Sequence, residues 1–270
     1  MTLGLSTYAY PWAVGIPGYP PERPLTAFDL LDRAVALGVP AVQFGDNLPL
    51  HALSPVDWRE VLDTAAQTGL ELQVGTRGLT PENLDRYLRL AAEARSPFLR
   101  MVIDDGGYQP DEAAVIALVQ KYLPKLRETN VVLAIENHDR FPARSLARIV
   151  EQTDPAYVGI CLDTTNSFGA GEDLHTVVTT LAPYTVNLHA KDFIIRRVGH
   201  KMGFTVEGVE PGTGLLDLAW VLDQLRAAGR CRAITLEQWP PFQNSLEKTI
   251  QTEAAWAESG IHWIRNHSQP

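Results

Sequence analysis

VVLAIENH (131–138), VGICLDTTN (158–166), TVNLHAKDF (185–193) and AITLEQW (233–239) are four apolar, β-branched runs. Each closes on a side chain that can bind a cation: Glu136, Asp163, His189 and Glu237. Polar residues follow at once. In a parallel barrel the strand C-termini converge on one face, so four such residues would meet around one ion. Three carboxylates and an imidazole form an O/N donor set suited to Mn²⁺, Mg²⁺, Co²⁺ or Zn²⁺. Without a cation, three carboxylates brought together would repel one another and be costly to desolvate.

Outward from these runs the same alternation continues. Strands are expected at Leu3–Tyr8, Ala41–Phe44, Leu70–Gly75 and Phe98–Ile103, then at Val131–Glu136, Val158–Asp163, Thr185–His189 and Ala233–Glu237. The amphipathic segments between them carry helix signals. Thr26 caps one that stops at Gly38, and Ser54-Pro55 starts one that stops at Gly69. Thr80-Pro81 repeats the device, and Gly229 closes another. Pro124 predicts a kink or early stop in the helix after the fourth strand. Strict βα alternation implies a parallel sheet with right-handed crossovers. Eight units favour an α/β, single-domain (β/α)8 barrel over residues 1–270, and roughly 250 residues is its usual size. An open doubly wound sheet competes, but no glycine-rich phosphate loop follows the first strand.

A formal net charge of −9 argues against nucleic acid as the partner, since phosphate binding needs a basic surface. No apolar run approaches the ~18 residues that span a bilayer. No signal peptide is visible in MTLGLSTYAY, so a cytoplasmic enzyme is expected. Cys161 and Cys231 lie in or beside strand runs and read as buried free thiols.

Two connections are long. Residues 9–24 carry Tyr10, Trp12 and Tyr19 among prolines, and residues 192–214 follow the seventh strand. Both would overhang the face where barrels build substrate pockets. Strands one and eight adjoin in a closed barrel, so these aromatics can meet Trp239 and Phe242 as apolar walls. Asp104 and Asp105 read as a turn or as hydroxyl partners. Strand parity puts His138 with Glu136, Lys191 and Asn187 with His189, Cys161 with Asp163, and Thr235 and Trp239 with Glu237.

Together, ENH (136–138), LDTTN (162–166), HAKDF (189–193) and LEQW (236–239) resemble the xylose isomerase-like TIM barrels. This sugar isomerase/epimerase superfamily includes tagatose and psicose 3-epimerases, inosose dehydratase and endonuclease IV. The resemblance spans the chain. It implies Glu136, Asp163, His189 and Glu237 as ligands of one divalent ion, with Mn²⁺ first, and Glu136 and Glu237 as the acid/base pair. A divalent ion chelated by a ketose carbonyl and its neighbouring hydroxyl acidifies the adjacent C–H. One carboxylate can remove that proton and another return one on the opposite face.

Substrate contacts are expected from Asn166, Lys191, His138, Arg197, Trp239 and Trp12. Blander readings stand beside them: Asn166 as a turn amide, Lys191 paired with Asp192, and His138 orienting Glu136. Arg196, Arg197, His200 and Lys201 make the seventh-strand loop basic, either to bind a carboxylate or phosphate or simply as a solvated face. Three departures point away from a free ketohexose: Gln43 where many relatives show glutamate, Pro142 where tagatose-type epimerases place another glutamate, and a displaced arginine pair. The expected function is a metal-dependent epimerase or isomerase of a keto-sugar or polyol. A dehydratase or lyase of an inosose or 3-keto-glycoside is the alternative through the same enediolate. An endonuclease-IV-like phosphodiesterase is opposed by too few histidines and by the charge. A non-catalytic sugar-binding barrel is the remaining class, and the number of subunits in any homo-oligomer is open.

Overall fold

The computed structural model describes residues 1–268. In chain order its strands are β1 (Thr2–Ser6), β2 (Ala41–Phe44), β3 (Glu71–Arg77), β4 (Phe98–Val102), β5 (Val132–Glu136), β6 (Val158–Asp163), β7 (Thr185–Ala190), β8 (Phe193–Arg197), β9 (Phe204–Gly208) and β10 (Ala233–Leu236). Eight of these close a parallel barrel in the order β1-β10-β7-β6-β5-β4-β3-β2. The helices are α1 (Pro11–Val14), α2 (Ala27–Ala36), α3 (Pro55–Thr68), α4 (Pro81–Glu93), α5 (Glu112–Thr129), α6 (Ala143–Glu151), α7 (Leu174–Leu181), α8 (Leu218–Ala228) and α9 (Leu246–Ser268). Thr26, Ser54 and Thr80 each accept a backbone N–H as helix caps, and Gly69 and Gly229 end their helices in the left-handed conformation.

The apolar faces of the helices pack on the outside of the barrel in one large core. A smaller cluster of Phe98, Val132, Ala134, Cys161, Val186 and Ala233 forms a second core. Gln43, Gln73, Asn187 and Thr235 are all buried and bonded to one another: Gln43 Nε2 donates to Asn187 Oδ1 at 2.9 Å and Gln73 Oε1 at 3.2 Å. Asn187 Nδ2 reaches Thr235 Oγ1 at 3.0 Å. Buried amides paired in this way avoid the cost of unsatisfied polar groups.

The structure departs from the sequence expectations in several places. The first strand stops at Ser6 rather than Tyr8, because Ser6 Oγ accepts the Tyr8 N–H at 3.0 Å and starts a 3₁₀ turn. Helix α5 runs on through Pro124, so the early stop does not occur. Pro124 is exposed, so water can serve the carbonyl that its ring leaves unbonded. The loop 192–214 is largely a two-stranded antiparallel ribbon, β8–β9. Both cysteines are free, with Cys161 buried and Cys231 only half-buried. No helix among the described residues is long and apolar enough to cross a membrane.

Candidate active site

Strand register delivers the expected cage. Asp163 on β6 stands beside His189 on β7, which stands beside Thr235 on β10, and Glu136 ends β5. Glu136, Asp163, His189 and Glu237 are all buried. His189 Nδ1 lies 3.2 Å from Glu237 Oε1, 3.4 Å from Glu136 Oε2 and 3.8 Å from Asp163 Oδ2. The other nitrogen, Nε2, is 2.5 Å from Gln43 Oε1. Gln43 donates both its amide hydrogens' worth of contacts elsewhere, so its oxygen faces the ring and takes the Nε2–H. That fixes a tautomer whose Nδ1 lone pair points among the carboxylates.

Each carboxylate is held from its own element. Asp163 Oδ1 accepts the Thr165 and Asn166 N–H groups at 2.8 and 3.0 Å and the Thr165 hydroxyl at 2.9 Å. Glu237 Oε1 accepts the Ser6 hydroxyl at 2.9 Å. Glu136 Oε1 accepts Asn166 Nδ2 at 2.8 Å, and Glu136 Oε2 accepts Arg100 Nε in a short ion pair. Within the cage, Asp163 Oδ2, His189 Nδ1 and Glu237 Oε2 point inward without a neutral hydrogen-bond partner. One ligand atom from each of Asp163, His189 and Glu237 lies within 4.8 Å of the others. Deeply buried O and N donors that converge in this way fit a divalent cation.

Two cations enter the same cage. Lys191 Nζ forms close ion pairs with Asp163 Oδ2 at 2.7 Å and Glu237 Oε2 at 2.9 Å. Arg100 joins Glu136 to Asp46, at 2.8 Å from the latter. Burial alone would push both cations toward neutrality, but the surrounding carboxylates outweigh it and hold both firmly charged. Burial likewise opposes ionisation of Glu237, yet the Lys191 and Arg100 cations hold its carboxyl below the usual carboxylate range. Four carboxylates, Glu136, Asp163, Glu237 and Asp46, share these two buried cations, so negative charge is in excess. Gly75 makes room for Arg100, its register partner: a Cβ there would lie 2.7 Å from the Phe44 carbonyl and 3.1 Å from Arg100 Cδ.

Of the expected substrate contacts, Asn166, Lys191 and Trp239 line a cavity of about 410 Å³ over the cage, with Tyr8, Phe168 and Val206. Lys191 does not pair with Asp192, which instead accepts four backbone N–H groups from Phe193, Gly212, Gly214 and Leu216. His138 does not orient Glu136. It lies at the rim, 3.0 Å from Asp139 and 3.3 Å from Arg77. Arg197 stands on the exposed ribbon over Phe204, away from the cage. Trp12 meets Tyr19 and Phe242, with ring centroids 5.5 and 5.7 Å away, and its Nε1–H goes to Pro240 O. Tyr10 is buried and forms no wall. Asp104 pairs with Arg140, and Asp105 closes a turn on Tyr108. The sequence reading missed Arg100. Its signal was an arginine inside the apolar run FLRMV facing a glycine on the next strand.

The closed (β/α)8 barrel, with O/N donors gathered at its strand C-termini, is shared with known proteins. Residues 31–267 match the model of the xylose isomerase-like TIM barrels, and the chain belongs to that family. It is 32% identical over 266 residues to 3-oxo-isoapionate decarboxylase of Pectobacterium atrosepticum, covering 98% of this chain and 95% of that one. D-psicose 3-epimerase of Clostridium cellulolyticum, solved with D-tagatose, superposes with a TM-score of 0.74 at 15% identity, and each chain is covered in full. A xylose isomerase-like barrel protein of Mycobacterium smegmatis, solved with magnesium, gives 0.66 at 14% identity, covering 98% of this chain and 97% of that one.

Proposed function

We propose that this chain is a lyase that removes carbon dioxide from a 3-oxo sugar acid, with a divalent cation held by Glu136, Asp163, His189 and Glu237. The observation that carries the reading is that Arg100 and Asn166 occupy both oxygens of Glu136. Epimerisation needs a basic carboxylate on each face of the reacting carbon, and the Arg100 ion pair makes Glu136 a weak base while leaving it lone pairs for an ion. Decarboxylation makes no such demand. It needs cationic charge beside the carbonyl oxygen that takes up the electron pair. The likeness to a decarboxylase over nearly the whole chain supports the same reaction.

Bound in the cage, the ion would supply Lewis acidity at the carbonyl oxygen. The chain's residues do the rest. The bond between the carboxyl carbon and its neighbour breaks, and its electron pair moves through the adjoining carbonyl to give an enediolate and CO₂. Lys191, at the base of the cavity, places its ammonium beside the oxygen that gains charge. Water then supplies the proton that the carbon takes up after losing CO₂. A divalent ion would offset the cage's excess negative charge and so favour an anionic substrate. Mn²⁺ and Mg²⁺ both match the donor set.

A second reading, epimerisation of a keto-sugar, draws on Glu136 and Glu237 flanking His189 Nδ1 at 3.4 and 3.2 Å. One experiment separates them. Protein supplied with Mn²⁺ is mixed with 3-oxo sugar acids and with neutral keto-sugars in D₂O. Stoichiometric CO₂ and one deuterium at the former carboxyl-bearing carbon are expected from an acid. Deuterium entering a neutral ketose with inversion and no CO₂ would replace the lyase by the epimerase, and no turnover of either would end both.

A further inference from the structure

Arg77 is the last residue of β3 and opens onto a second cavity of about 410 Å³, on the β2–β4 side of the barrel mouth, with Asp46, Thr76, Gly78 and Asp105. The cation cage occupies the β5–β7 and β10 side. The two are joined by a line of charge: Glu136 to Arg100, Arg100 to Asp46, Asp46 to Arg77. Along that line Asp46 is already served, by Arg100 Nη1 at 2.8 Å and by the Tyr8 hydroxyl at 3.0 Å. Its contact to Arg77 Nε is a loose 3.5 Å, and that nitrogen is buried with no hydrogen bond. His138 Nδ1 lies 3.0 Å from Asp139 Oδ2, and its Nε2 accepts Arg77 Nη2 at 3.3 Å. The guanidinium is thus steadied at one edge while much of its donor fork is uncommitted, and its side chain is 36% exposed. Arg100 is spent on protein carboxylates and Lys191 lies at the cage, whereas Arg77 is held only by the loose Asp46 contact and His138.

We infer that Arg77 is an anion subsite, the group that receives the carboxylate of a sugar acid whose carbonyl lies at the cage. A guanidinium fork matches a carboxylate in two parallel hydrogen bonds, and a half-desolvated rim makes that pair stronger than one in open water. The inference rests on the lyase reading for its substrate class and adds the residue that selects it. It also fixes the kinetic signature. Negative charge leaves the carboxylate as CO₂ forms, so a salt bridge to Arg77 holds the ground state more than the transition state. Losing Arg77 therefore raises KM, while kcat stays level or rises. Losing Lys191 would do the opposite.

The test is calorimetric binding of threonate, a four-carbon sugar acid, against threitol, its neutral counterpart, with Mg²⁺ present. The wild-type protein is expected to prefer threonate by roughly tenfold or more, the scale of one charged pair. Arg77→Met should erase that preference, and Arg77→Lys should keep part of it. Arg77→Gln, polar toward Asp46 and His138, replaces Arg77→Met if thermal unfolding shows the latter misfolded. A preference that survives loss of Arg77 would mean the carboxylate is held at the cage, and would overturn the inference. So would a wild-type protein with no preference. CO₂ release is a separate readout: its absence beside an Arg77-dependent preference would remove the reaction and leave the subsite standing.

Discussion

His189 offers its Nδ1 to the cage because Gln43 holds the other nitrogen. A leucine at 43 would free the ring to turn and strip its outer partner. Loss of such a partner costs about 10–100-fold in metal affinity, so Gln43→Leu should weaken Mn²⁺ binding by that factor in a competitive chelator titration. Gln43→Glu, which still accepts the Nε2–H, should bind as tightly as wild type. Equal affinity in Gln43→Leu would show that the amide does not set the tautomer. Lys191 carries the second expectation. If its ammonium stabilises charge that develops on oxygen, Lys191→Met should lower kcat by ~10²–10³ with little change in KM, the usual cost of one such group. A rise in KM alone would make it a binding residue. The four cage residues were legible in the sequence because they share a position, the end of an apolar run. Arg100 was not, because its partner Glu136 is 36 residues away and only barrel closure brings them together.

At the level of elements, α9 anchors the loop after β1. Glu253 on α9 is buried and accepts the Trp12 N–H at 2.7 Å and the Ala13 N–H at 3.0 Å. Burial outweighs those bonds and the nearby Arg33, and pushes its carboxyl up to about 8 from an ordinary 4.5. The folded chain therefore binds this proton more tightly than the unfolded chain does. The associated stability is fully present below about 4.5 and is lost as pH rises through about 8. Against Glu253→Gln, which has nothing to titrate, wild type should lose stability between pH 5 and pH 8.5 in urea unfolding. Parallel profiles would place Glu253's ionisation outside this range. The ribbon β8–β9 hangs likewise on Asp192, so Asp192→Ala, leaving four N–H groups unserved, should cost at least about 2 kcal/mol. Protease cleavage near residues 195–206 should rise with it. Strand positions came within two residues of expectation, since hydrophobic runs and caps are local signals. The ribbon went unread because FIIRR and FTVEG carry charge on a surface that no apolar face requires. Pro124 misled because its cost depends on which side of α5 faces water.

Over the whole molecule, the cage is where the barrel is fastened. The proposed ligands come from β5, β6, β7 and the end of β10, and Ser6, Gln43 and Arg100 extend the bonding to β1, β2 and β4. An ion bound there touches a structure that exists only when the barrel is closed, so it binds the folded chain alone and stabilises it by mass action. At 100 times Kd that gain is about 2.7 kcal/mol, which for a chain of this size raises Tm by roughly 5–10 °C. Thermal scans with Mn²⁺ and with Mg²⁺ should show the rise, and a chelator should reverse it. Asp163→Asn keeps an acceptor for Thr165 and Asn166 but removes a charged ligand, so its Tm should respond little to either ion. Paired with Lys191, the same variant also relieves a carboxylate from a crowded cage, and its ion-free Tm should not fall far below that of wild type. If the ions leave wild type unmoved, or move Asp163→Asn equally, the cage is an internal salt-bridge network of Lys191 and Arg100 with their carboxylates, and the Lewis acid in the proposed reaction has no seat.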